Sequence, residues 1–283
     1  MRKLFSRQLI EARHEMLSIF EALDLTLHDA ITAFNTGDKK LANKAKKKTL
    51  QIDARCANLE AVCYNLIATQ SPVASDFRLL QTIIYVNFNL QRVSDHIRSI
   101  ARGAKAKAKA EVEIPAELIE LIDREAGYVY RVMGASISCL VNNDLAEMRA
   151  LITLDEPVHD VYEEFFRVYN RIVSADDPAP ENYDHLRRAI MTSRYLERIS
   201  SVSVEIATRL TFLLTGQRLS ASDIAESDED ELESLRVPSG EGVILEPKND
   251  ARYVAALPLD EVGEDLKRLI ESVQNGDDDE DDE

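Results

Sequence analysis

Apolar residues return at three- and four-residue intervals over long stretches of this chain. Phe5, Leu9, Met16, Ile19, Phe20, Leu23, Leu27, Ile31 and Phe34 form the first stripe, at the spacing that turns one face of an α-helix toward a core. Asn35-Thr36-Gly37-Asp38 interrupts the stripe, with Gly37 suited to ending a helix. A second helix is predicted over residues 40–69, carrying Leu50, Leu59, Cys63 and Leu66. Ser71-Pro72 closes it, and a third helix follows to about residue 102. Long helices joined by short connections predict an antiparallel, up-and-down bundle.

The stretch LQRVSDHIRSIA (residues 90–101) is echoed by LERISSVSVEIA (residues 196–207). A shift of 106 residues superposes the whole unit on residues 117–207 without a gap. Ile31 meets Ile137, Asp38 meets Asp144, Pro72 meets Pro178, Arg92 meets Arg198 and Ser94 meets Ser200. Turns and core positions coincide together, so one three-helix unit is duplicated. The expected fold is all-α: two tandem three-helix bundles, residues 1–107 and 111–217, related by pseudo-two-fold symmetry, with residues 103–110 (GAKAKAKA) as a polar seam.

Residues 218–283 read differently. The chain's formal charge of −17 is concentrated in residues 219–283, which hold 22 Asp/Glu against 5 Lys/Arg, leaving 29 acids and 29 bases in residues 1–218. The acidic, Ser-rich stretch 220–234 and the wholly acidic 277–283 predict disorder. A hairpin is predicted over residues 242–257 and a short amphipathic helix over residues 259–273. A neutral body with an acidic tail excludes sequence-independent nucleic-acid binding, which needs a concentrated positive face.

Three cysteines are too few for a disulfide framework, and Cys56 and Cys63 share a helix face suited to core packing. No run of about 18 apolar residues spans a bilayer, and the N-terminus lacks the pattern of a secretory signal. A cytoplasmic protein is expected.

The duplicated bundle, the junction QSPVASDFR (residues 70–78) and the twin stretches of the third helices resemble the PhoU family. The resemblance covers about residues 5–217. It implies a negative regulator rather than a catalyst, one that links the phosphate ABC transporter ATPase to a sensor histidine kinase and damps both when phosphate is plentiful. It also implies a homodimer or higher oligomer, with membrane association only through the transporter.

The family resemblance further implies metal binding through acidic pairs four residues apart on the third helix of each repeat. Here the pairs read Gln91-x-x-x-Asp95 and Glu197-x-x-x-Ser201, each short of one carboxylate. Carboxylates four apart share a helix face and grip a hard cation together. Their loss predicts weak binding of a divalent or ferric ion at Asp95 and Glu197, with His96 and Glu60 as further candidate ligands. Arg78, Arg92 and Arg198 are the candidate partner-binding residues, and Arg92 and Arg198 also stand near enough in sequence to pair with the acids.

An enzyme is the competing class. Glu11-x-x-His14 and Glu156-x-x-His159 imitate the ligand pairs of di-iron carboxylate bundles, which must all project inward. The two are 145 residues apart, out of step with the repeat, and Pro157 suggests a helix start near the second. At the 70–78 junction Asp76 suits a helix N-terminus and Ser75 is a candidate cap.

Overall fold

The computed structural model describes residues 2–72, 74–109, 113–176 and 180–236. Helices α1 (Arg2–Thr36), α2 (Lys39–Gln70) and α3 (Ala74–Lys107) form the first repeat, and α4 (Ala116–Asn142), α5 (Leu145–Asp176) and α6 (Pro180–Thr215) the second. Two short helices follow, α7 (Ala221–Glu226) and α8 (Glu229–Ser234). No strand occurs among the described residues.

The first turn of each repeat is built alike. Gly37 and its counterpart Asn143 both take the left-handed conformation, at φ of 71° and 55°, which glycine and asparagine tolerate best. The aspartate that follows then caps the next helix. Asp38 accepts from the Lys40 and Leu41 amides, and Asp144 from the Ala146 and Glu147 amides. Even the carbonyls left over at the ends of α1 and α4 are matched. Lys107 donates to those of Phe34 and Asn35 at 2.7 and 3.0 Å. Arg13 reaches from α1 to those of Leu140 and Val141 at 2.5 and 3.2 Å, stitching the two repeats together.

Within each repeat the three helices pack against one another; between repeats α3 packs on its counterpart α6, and α1 on its counterpart α4. All nine apolar residues of the first stripe are buried, as are Cys56 and Cys63. Burial pushes both thiols up to about 12, so they are neutral core fillers.

Several expectations change. Leu50 is exposed, on the opposite side of α2 from Ile52, Cys56 and Leu59. Helix α3 continues five residues past Arg102, because Ala104 is buried and Lys107 is fixed on the end of α1, so the predicted polar seam is helical through residue 107. Ser75 lies inside α3 rather than capping it, while Asp76 does fall in the first turn. Pro157 sits in the middle of α5, not at a helix start; buried Val158, Val161 and Phe165 hold the helix across the lost backbone bond. The stretch 220–234 is not disordered. A reciprocal capping box joins Ser220 and Asp223, Ile224 and Leu232 are buried, and α7 and α8 pack on α5. The predicted hairpin, the 259–273 helix and the acidic 277–283 end lie outside the described residues.

At the α1–α4 contact, His28 stacks on Tyr130 with ring centroids 3.5 Å apart. One turn earlier, Asp24 is half-buried, with one buried oxygen lacking a hydrogen-bond partner, and desolvation pushes its pKa up to about 6. The native carboxyl then holds its proton above the pH at which the unfolded one releases it, so stability falls as pH rises from about 4 to about 6. Asp24→Asn is expected to be more stable than the parent above pH 6, by up to about 3 kcal/mol for a two-unit shift. The difference should close toward about pH 4, which urea melts across that range measure.

Candidate functional site at the seam between the repeats

Helices α3 and α6 cross antiparallel. Near the start of α3, Arg78 donates Nε to the Leu213 carbonyl at 3.2 Å, near the end of α6. Near the other end of the contact, the His96 ring lies on Tyr195 at 5.5 Å. Between them Tyr85 donates to Glu205, and Arg92 meets the same carboxylate at 3.2 Å. The contact is therefore centred close to Arg92 and Arg198, which are counterparts under the repeat.

Both arginines act on His96. Burial first, and then Arg92, lower the imidazole pKa below its ordinary value; Asp95 opposes them and Arg198 adds to them. His96, Asp95, Arg92 and Arg198 thus form one electrostatic group. Its histidine favours the neutral, ring-stacked state.

The acids of this group are already engaged. Asp95 is exposed and pairs with Arg98 at 2.9 Å, while Arg98 also binds Asp53 and the Thr49 hydroxyl. Ser94 completes that knot by donating to Asp53 at 2.8 Å. Ser200, its counterpart, donates to Asp155 at 2.5 Å, but Val204 stands where Arg98 would be. Glu197 lies between Arg194 at 3.1 Å and Arg198 at 3.4 Å, and Arg194 is held over the Tyr162 ring. Glu60 belongs to a different place, a cleft it lines together with Gln91.

Glu125 was not legible as a site residue. It is 0% exposed on α4, where it accepts from the Ser193 hydroxyl at 2.6 Å and leaves its second oxygen unpaired. Burial raises its pKa well above the ordinary carboxyl value; the Ser193 bond opposes this and Glu197 reinforces it. A signal did exist: Glu125 interrupts the apolar stripe Leu118, Leu121, Ile122 and Val129.

This donor set does not fit a resident metal cluster. Each carboxylate at the crossing has a guanidinium partner, and among the described residues no three His, Cys, Asp or Glu side chains gather. The di-iron arrangement fares worse, because Glu11, His14, Glu156 and His159 are all exposed. Titration calorimetry with Mn2+ is expected to show at most weak binding, in the roughly 10⁻⁴–10⁻³ M range of poorly charged oxygen sites. Submicromolar binding that survives loss of both Asp95 and Glu197 would place the metal elsewhere.

Comparison with known proteins bears on the doubled fold that forms this crossing. The family model described as PhoU domain matches twice, at residues 16–104 and 122–210, and the second match is displaced by 106 residues at both ends. The phosphate-specific transport system accessory protein PhoU homolog 1 of Methanothermobacter thermautotrophicus is 27% identical over 217 residues, 77% of this chain and 97% of that protein. The PhoU homolog of Clostridium acetobutylicum is 25% identical over 223 residues, 78% of this chain and 99% of its own length. The crystal structure of PhoU from Pseudomonas aeruginosa superposes with a TM-score of 0.70 at 23% identity, covering 75% of this chain and all of that one.

Proposed function

The chain belongs to the PhoU family, and on that premise we propose that it is a cytoplasmic negative regulator of phosphate uptake and phosphate-starvation signalling. It acts by binding the phosphate ABC transporter ATPase and a sensor histidine kinase, not by catalysis. The observation that supports this most strongly is the double family match in register with the internal repeat, together with relatives that are accessory proteins of phosphate-specific transport. Among the described residues no helix is long and apolar enough to cross a membrane, which suits a protein that reaches the membrane through a partner.

The arginines divide by role in this reading. Arg78 is spent on the Leu213 carbonyl and serves the fold. Arg92 and Arg198 leave nearly half of their side chains exposed at the crossing, where they can meet acidic groups of a partner. Rim charges of this kind set encounter rate and salt dependence more than total affinity.

Affinity purification of the full chain from phosphate-replete cells is expected to recover the transporter ATPase or the sensor kinase. The double variant Arg92→Ala/Arg198→Ala should weaken that recovery at low salt with little change in melting temperature. Recovery of neither protein from replete or starved cells would overturn the proposal.

A further inference from the structure

Beside the seam, on the first repeat, α2, α3 and the end of α6 enclose a cleft of about 330 Å³. Two arginines line it. Arg209 is only 6% exposed, with its guanidinium 4.6 Å from the centre of the Tyr85 ring and 4.3 Å from that of Phe212. Arg218 approaches the same Phe212 ring at 5.9 Å. Neither has an acidic or carbonyl partner among the described residues, and Nε of Arg209 is buried without an acceptor. The rings answer the faces of the guanidinium. They leave its N–H edge, five donors in one plane, unmet.

A lining residue also carries a buried, unmet acceptor. Asn87 is buried, its amide nitrogen is committed to the Cys56 carbonyl at 2.9 Å, and its oxygen has no partner. Tyr64 and Phe88 line the same cleft and are 53% and 62% exposed. None of this belongs to the repeated design: the counterparts of Arg209, Phe88 and Tyr64 are Gly103, Arg194 and Asn170. Two unpaired guanidiniums, flat apolar surface and an orphaned acceptor occur together here, and not at the matching place in the second repeat.

We propose that this cleft binds a small phosphorylated ligand bearing a flat ring, a mononucleotide by chemical class. Arg209 and Arg218 take the phosphate oxygens, for which a guanidinium fork is well matched. Tyr64 and Phe88 receive the ring. The cleft volume is at the small end of ligand pockets, which suits one nucleotide. Glu60, the single acid of the lining, disfavours a second anionic group at its end. This site is independent of the regulatory role proposed above, since either could fail alone.

Titration calorimetry of the full chain with AMP and inorganic phosphate tests it. AMP is expected to bind one to one, at least about tenfold tighter than phosphate, the order of one base–aromatic stack. Phe88→Ala should remove that advantage and leave phosphate binding unchanged. Arg209→Gln should abolish binding of both, and Arg218→Gln, at an exposed position, should weaken both without altering the melting temperature. Absence of binding by AMP and phosphate alike would overturn the proposal. AMP binding unaffected by Arg218→Gln and Phe88→Ala would do so too, and equal affinity for AMP and phosphate would contradict the ring-binding part.

Discussion

Helix α3 has to satisfy two neighbourhoods at once. It packs on α1 and α2 to complete its own repeat and on α6 to join the other, while α6 does the same against α4 and α5. Residues buried along α3, among them Leu80, Ile83, Val86, Leu90, Val93 and Ile97, therefore occupy about half of its circumference. Polar side chains are left the remaining strip. Every candidate functional group of the crossing, from Tyr85 through Arg92 to His96, lies on that strip or on its counterpart on α6. The placement of chemistry follows from the packing.

Within that strip, charge is balanced locally. Asp95 and Asp53 share Arg98, Glu197 has Arg194 and Arg198, and Glu205 has Arg92 and Tyr85. Groups half in water make such pairs modest in stability, but pairing leaves little free carboxylate to hold a cation. Departures from balance stand out accordingly. Half-buried Asp24 and buried Glu125 are acids with an unpaired oxygen, and Arg209 is a buried cation with no acid partner among the described residues. Each unmatched group costs stability unless proton, water or ligand answers it.

The fold was largely legible in the sequence because helical period and repeat register are properties of local spacing. The 106-residue shift predicted matched turns, and Gly37–Asp38 and Asn143–Asp144 are built alike. What composition obscured was order supplied by single contacts. The alternating Ala and Lys after Gly103 read as a polar seam between the repeats, yet Lys107 caps α1. The acidic 220–234 stretch read as disorder, yet one capping box and two buried aliphatics, Ile224 and Leu232, settle it on α5. The site was less legible, since Glu60 and Asp95 share candidate chemistry but stand in different surroundings. Glu125 and Arg209, the more unusual groups, are lone polar residues within apolar stripes, a pattern that names a buried charge without naming its partner.

The α3–α6 crossing is the surface proposed to meet the phosphate transport machinery. Hydrogen exchange of the full chain, with and without the purified transporter ATPase, tests it most directly. The account predicts added protection in residues 85–98 and 194–209, which flank the crossing, with the outer face of α5 unchanged. Protection confined to α5, or none at saturating ATPase, would contradict it.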